Sequence, residues 1–331
     1  MPLDLYAIGN ALVDSEYLVQ DDFLAGQSIE KGCMTLIDGD RQSVLLAALN
    51  RHTACAKRAS GGSAANSVIA FSAFGGQAFY ACKVADDDNG AFYLDDLRAA
   101  GVRAPAHARV TGGVTGTCVV MVTPDAERTM NTHLGITAEM SASELDLAAL
   151  EDASFLYIEG YLATSPSARH AVATAREIAA RRGIPTALTF SDPAMVQYAR
   201  GGLTEMLADG VDILFCNESE AMLWSGAVTL DEAIRDLHRI SPLVVITRGA
   251  QGAVVSREHQ QTAIAPFPVK AVDSNGAGDA FAGAFLFGLS RGWSLADCGR
   301  LASRTAAQVV SRFGPRLDQA GYAQVLRDHR S

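Results

Sequence analysis

From about residue 150 onward, short apolar runs alternate with longer amphipathic stretches, a pattern that predicts a doubly wound, mostly parallel α/β sheet flanked by helices. The runs Phe155–Glu159, Pro185–Phe190, Ile213–Cys216 and Leu243–Thr247 read as strands. Between them Ala168–Arg182, Leu203–Ala208 and Thr229–Ile240 read as helices, the first stopped by Gly183 and the last opened by Thr229. The first half is less regular. Leu5–Leu12, broken by Gly9, reads as an opening strand that ends at Asp14, and Glu16–Gln20 alternates as an exposed strand does. Further strands are expected at 33–38 and Ala78–Val84, and helices at Gly39–Ala54 and Asp87–Ala100. Thr117–Thr123 and Arg128–His133 flank the turn Pro124-Asp125-Ala126-Glu127 and predict a hairpin. With the strands at 15–20 and 33–38, the hairpin makes a small β lid from about 12–40 and 108–134, within one domain spanning 1–331.

One stretch carries chemistry on its face. An extended segment, Ala263–Val272, runs into Asp273-Ser274-Asn275-Gly276-Ala277-Gly278-Asp279 and then into Ala280–Leu289, a small-residue run that suits a buried helix. Backbone N–H groups of Gly276, Ala277 and Gly278 converge in such a turn, and the helix N-terminus adds partial positive charge, so an anion belongs there. Asp279 would repel that anion unless it has a task. Accepting the proton of a hydroxyl that attacks a phosphoryl group held by the turn is a task that fits; complementing the helix dipole is the bland alternative.

Other candidates stand at strand ends and helix starts. Ser60–Ser67 holds Gly61 and Gly62, which permit close approach to a ligand, and Asn66, which offers a donor and an acceptor; the same residues also make a well-capped helix start. Tyr161 presents an aromatic face to a base or sugar, or fills the core. Gly249 and Gly252 form a phosphate-side loop or an ordinary turn. Arg128 reaches into a site from the hairpin or lies in solvent. Asp86-Asp87-Asp88 reads as an acidic first helical turn rather than a metal site.

Composition narrows the partners. With 27 basic and 37 acidic residues the net charge is −10, which argues against nucleic acid and acidic membranes and for a small-molecule partner. Charged residues at 19% and hydrophobic residues at 49% describe a globular chain. Six scattered cysteines without metal spacing predict reduced thiols in a cytoplasmic protein. The N-terminal stretch lacks the basic region of a secretory leader, and no stretch approaches the roughly 18 apolar residues that span a bilayer. The exposed edge of the small sheet either pairs in a homodimer or covers the site of a monomer.

Taken in order, Asp14, the G-G-x-x-x-N run Gly61–Asn66, the N-x-x-E run Asn217–Glu220, the T-x-G run Thr247–Gly249 and the D-x-x-G-A-G-D run Asp273–Asp279 resemble the ribokinase-like (PfkB) carbohydrate kinases over nearly the whole chain. Neither a Walker loop nor an N-terminal G-x-G-x-x-G is present. The resemblance implies that Asp279 is the catalytic base beside an anion hole of Gly276, Ala277 and Gly278. It implies that Asp14, Gly61, Gly62, Asn66, Arg128 and Tyr161 bind the acceptor, Asp14 taking hydrogen bonds from sugar hydroxyls. For ATP it implies Asn217, Thr247, Gly249, Gly252, Asn275 and Ser303; for Mg²⁺, Glu220 through water; and for a K⁺ ion, Asp273. The openings Gly9–Asp14, Glu159–Leu162 and Asn275–Gly278 look closer to the adenosine-kinase branch than to ribokinase or fructokinase. The expected acceptor is therefore the 5′-hydroxyl of a nucleoside, with a free sugar as the alternative and a non-catalytic nucleoside or sugar sensor as a reading of another class.

Overall fold

The alternating pattern of the second half builds a nine-stranded sheet, seen in a computed structural model that describes residues 3–330. Met1 and Pro2, the start of the stretch read for a leader, lie outside the described residues. In chain order the strands are β1 (Leu3–Ile8), β2 (Leu12–Leu18), β3 (Met34–Leu36), β4 (Lys57–Gly61), β5 (Ala78–Ala81), β6 (Val84–Ala85), β7 (Val102–Arg103), β8 (Arg109–Val110), β9 (Gly116–Val122), β10 (Arg128–His133), β11 (Ala153–Ile158), β12 (Thr186–Thr189), β13 (Ile213–Asn217), β14 (Leu243–Thr247), β15 (Ala253–Arg257) and β16 (Gln260–Ile264). The large sheet runs β16-β15-β14-β13-β12-β11-β1-β5-β7, parallel except for the antiparallel pairings β14–β15 and β15–β16.

β1 sits inside this sheet and is apolar on both faces. Leu5 and Ala7 join the core beneath the helices Ser63–Ala73, Ala277–Ser290 and Leu295–Val310, while Tyr6 and Ile8 join the core beneath Pro166–Arg182. A strand buried on both faces reads as a continuous apolar run, as Leu5–Ile8 does. β1 pairs with β5 on one side and β11 on the other, so the chain reverses its direction of sheet growth at the β1–β11 boundary. In open α/β sheets the crevice at the carboxyl ends of such a boundary is where ligands bind.

The second sheet has five strands in the order β3-β10-β9-β2-β4. Several sequence expectations change here. β1 ends at Ile8, and Asp14 lies inside β2 rather than at the end of the opening strand. β2 is not an exposed strand: Glu16 is 1% and Tyr17 4% exposed. Tyr17 packs with Phe23, Leu45, Leu49, Val119 and Met121, so the helices Asp21–Gly26 and Gly39–His52 cover one face of the sheet. On the other face Cys118, Val120 and Val122 pack with Leu12, Met130 and Phe313. β4 is an added fifth strand whose Lys-Arg-Ala-Ser-Gly sequence shows no apolar alternation; it gains its place by pairing with β2. β8 pairs with β6 apart from this sheet, and the Ala78–Val84 run splits into β5 and β6. The extended segment from Ala263 is strand only to Ile264, as one arm of a β15–β16 hairpin.

The helices Ser63–Ala73 and Ala277–Ser290 approach closely because Gly283 faces the first of them. A Cβ at Gly283 would lie 2.2 Å from the Ser67 carbonyl oxygen and 3.0 Å from Ala70 Cβ. Gly283→Ala is therefore expected to lower unfolding free energy by roughly 1–3 kcal/mol through overpacking. Gly201→Ala, in open space on the helix Arg200–Leu207, is expected to raise it by about 0.5–1 kcal/mol. Urea denaturation of the two variants beside the parent checks both signs.

Candidate active site

At the carboxyl ends of β1 and β11 one buried carboxylate ties three segments together. Glu159, 1% exposed, accepts hydrogen bonds from the Asn10 N–H at 3.2 Å and the Ala64 N–H at 2.8 Å. The helix Ser63–Ala73 has no side-chain cap at Gly62, so Glu159 supplies from another strand the acceptor its first turn lacks. The Asn10 carbonyl accepts from the Tyr80 hydroxyl at 2.9 Å, and the Ala11 N–H donates to Thr137 Oγ1 at 3.0 Å. Asn10 is thereby locked with its side chain lining the cleft.

Asp14 reaches the same cleft from β2 and is 6% exposed. It lies so close to β4 that a Cβ at Gly61 would fall 2.1 Å from its carboxylate. Gly62 has φ +100°, and a Cβ there would be 2.3 Å from the Asn10 carbonyl oxygen. The two glycines thus admit the side chain of one ligand-facing residue and the backbone of another. Burial, and then the neighbouring Glu16 charge, push the Asp14 carboxyl well above its usual range against the pull of Arg316 and Arg128.

Asp279 stands on the first turn of the helix Ala277–Ser290, and both its oxygens are held from the facing helix. Ser63 Oγ donates to Oδ1 at 2.6 Å and Asn66 Nδ2 to Oδ2 at 3.0 Å. Burial raises the Asp279 carboxyl above its ordinary value; the two hydrogen bonds and the Arg128 charge oppose that shift. Asn66 lines the cleft, and its Oδ1 is buried without a hydrogen-bond partner. The turn is built on Gly276, left-handed at φ +72°, and the helix has no side-chain cap. A Cβ at Gly278 would meet nothing within 4 Å, and Gly276 and Gly278 both line the cleft. The Ala277 N–H is partly engaged, by a 3.4 Å bond to the Ser274 carbonyl.

The cleft continues to the ends of β13 and β14, where Asn217 and Thr247 are cross-strand partners that both line it. Asn217 caps the helix Glu218–Ser225 and is capped in return, since Glu220 accepts from its N–H and its Nδ2, each at 2.9 Å. Burial pushes the Glu220 carboxyl up to about 8. Among the described residues no three His, Cys, Asp or Glu side chains are gathered to hold a metal by themselves. An oxygen donor already engaged with Asn217 fits a hydrated Mg²⁺ better than direct ligation.

Arg128 and Tyr161 both line the cleft, and the Tyr161 hydroxyl donates to Asp192 at 3.3 Å. Asn275 lines it as well, while Asp273 lies fully buried behind the turn, accepting from the Asn275 N–H at 2.9 Å and the Gly314 N–H at 2.8 Å. A K⁺ ion at Asp273 would have to use lone pairs beyond those two bonds. Gly249, Gly252 and Ser303 lie outside the cleft lining; the Ser303 hydroxyl donates to the Ala265 carbonyl at 2.9 Å. Asn10, Ser63 and Glu159 received no role from the sequence, although all three stand inside motifs it displays. Their signal is positional, and only the fold shows what each faces.

The chain is similar to known proteins over most of its length. The family model described as pfkB family carbohydrate kinase matches residues 33–320. The chain belongs to this family. Its members are phosphotransferases, and the large, mostly parallel sheet with a small separate sheet is that of ribokinase-like structures. The crystal structure of adenosine kinase from Sinorhizobium meliloti superposes with a TM-score of 0.93 at 35% identity, covering 99% of both chains. Adenosine kinase from Saccharomyces cerevisiae is 30% identical over 95% of this chain and 97% of its own length. Ribokinase from Staphylococcus aureus is 28% identical over 77% of this chain and 83% of its own.

The buried glutamates make the stability of this PfkB kinase depend on pH with a defined sign. Burial lifts Glu159 from 4.5 to about 7, against its two backbone hydrogen bonds, and lifts Glu220 to about 8. Unfolded, both titrate near ~4.3. Between these limits the folded protein binds more protons, so their contribution is full below the unfolded pKa and is lost as pH rises through the folded one. Glu159→Gln is expected to remove up to about 1.4 kcal/mol per pH unit of that decline between about pH 5 and 7. Urea titrations across this range measure the slope.

Proposed function

We propose that the chain is an ATP-dependent nucleoside kinase that transfers the γ-phosphoryl group of Mg-ATP to the 5′-hydroxyl of an adenosine-like nucleoside. The observation that carries this reading is a single cleft lined by Asp279, the turn glycines Gly276 and Gly278, Asp14 and Asn66. Asp14 and Asn66 accept hydrogen bonds from the ribose hydroxyls. Asp279 takes the proton of the 5′-hydroxyl as its oxygen attacks in line, and its raised carboxyl makes it a better base. The incoming hydroxyl replaces one of the two donors that now hold Asp279.

The turn N–H groups of Gly276, Ala277 and Gly278 meet the charge on the transferred group. Thr247, Asn217 and Asn275 lie toward the nucleotide, with the loop glycines Gly249 and Gly252 and with Ser303 beyond them. Mg²⁺, when bound with ATP, neutralises charge on the β- and γ-phosphate oxygens, and Glu220 with Asn217 would hold it through water. The five-stranded sheet acts as the lid: Met34, Leu36, Arg128 and Met130 project from it into the cleft and exclude water that would compete for the phosphoryl group. The six free cysteines suit the reducing cytoplasm.

A nucleoside is favoured over a free sugar because the lining of the cleft also holds the apolar side chains of Leu12, Met34, Leu36 and Leu134 and the ring of Tyr161. A planar base fills such walls and a pentose alone leaves them wet. The full-length relatives named adenosine kinases support the same choice.

ADP release from Mg-ATP in the presence of adenosine, other nucleosides, ribose or fructose tests the acceptor; adenosine is expected to be turned over best, and turnover of sugars alone would replace the nucleoside by the free-sugar reading. Asp279→Asn is expected to keep the melting temperature and to lower kcat by about 10²-fold or more. Near-parental turnover in that variant would refute the role of Asp279.

A further inference from the structure

Glu16 is a buried carboxylate that the mechanism does not use. It follows Asp14 by two residues on β2, so both side chains leave the same face of that strand. Its Oε1 accepts from Asn275 Nδ2 at 3.1 Å, a contact between residues 259 apart in the chain. Its Oε2 is buried with no hydrogen-bond partner. The charges facing it are Asp14 on its own strand, Lys57 on β4, Asp273 behind the turn and Arg316 beyond the helix Leu295–Val310, with the Cys118 thiol on β9.

Stability does not account for this residue. A carboxylate with one oxygen unsatisfied, next to two other carboxylates, costs desolvation that an apolar side chain of similar size would avoid. What Glu16 does gain is a grip on Asn275, the residue before the left-handed Gly276 that opens the anion-binding turn. The turn has two other contacts, neither from the small sheet. Asp273 holds the Asn275 N–H, and the Pro315 carbonyl lies where a Cβ of Gly276 would be, at 2.2 Å. Of these supports only Glu16 comes from the small sheet.

We propose that Glu16 is a positioning residue: through Asn275 it sets the anion-binding turn by the position of β2, so that the turn reaches its working geometry only when Asp14 is in place on the acceptor. Acceptor recognition and phosphoryl-group stabilisation are then mechanically one event, because residues two apart on one strand serve each. The inference rests on the kinase reading above.

Steady-state kinetics with Mg-ATP and the best acceptor of the panel test it. Glu16→Ala is expected to lower kcat by about tenfold or more while acceptor KM changes by less than about threefold, the scale of a displaced transition-state contact. Glu16→Gln keeps an acceptor oxygen for Asn275 and is expected to stay within about threefold of the parent kcat. Asn275→Ala removes the contact from its other end without touching the buried carboxylate, and adding Glu16→Ala to it is expected to cost nothing further. The inference is overturned by a parental kcat in Glu16→Ala, by a loss confined to KM, by a Glu16→Gln variant as slow as Glu16→Ala, or by losses that multiply in the double variant. If Glu16→Ala does not fold, the kcat of Glu16→Gln and of Asn275→Ala decides: a slow Glu16→Gln or a parental Asn275→Ala overturns it. Absence of ADP release from the parent with every acceptor would instead sink the kinase reading itself, whereas an active kinase indifferent to Glu16 loses only this inference.

Discussion

A carboxylate removed from water must be given donors, and around this cleft the donors come from distant parts of the chain. Glu159 holds the backbone of Asn10 and Ala64, and Asp279 is held by Ser63 and Asn66. Asp273 holds the N–H groups of Asn275 and Gly314. Each buried acid is thus a clamp between segments, and the cost of burying it makes the arrangement specific, since losing one partner would leave an uncompensated charge. The cleft exists where these clamps meet, at the boundary between β1 and β11.

Clamps of this kind work only if backbones come close, which explains the glycines that matter. Gly61 gives room to the Asp14 carboxylate, Gly62 to the Asn10 carbonyl, and Gly283 to the Ser67 carbonyl of the helix that carries Asn66. The missing Cβ at Gly283 lets the helix that carries Asn66 and the helix that carries Asp279 pack to hydrogen-bonding distance. The raised pKa of the Asp279 carboxyl follows from this close packing, because the approach excludes water.

The small sheet has two different faces. One is sealed by the helices around Leu45 and Phe23; the other sends Asp14 and Glu16 toward the large domain, and Met34, Leu36, Arg128 and Met130 also project from the sheet into the cleft. The sheet is covered on one side by its own helices, and on the other it carries an apolar cluster of Cys118, Val120 and Val122 beside the carboxylates of Asp14 and Glu16.

The sequence by itself determined the large alternating sheet, the turn at Gly276–Asp279 and the family motifs, because these depend on local matters: apolar periodicity, glycine freedom and helix-end charge. Thr117–His133 was legible as a hairpin for the same reason. It could not show β4, whose residues have no strand pattern of their own, nor that Glu16 is buried, since its alternation looks like that of any exposed strand. Asn10, Ser63 and Glu159 stayed silent because their roles lie in which backbone or side chain each one faces across the fold. Periodicity is a property of neighbours in sequence; the pairing of a buried charge with its donor is a property of neighbours in space, and only tertiary structure decided it.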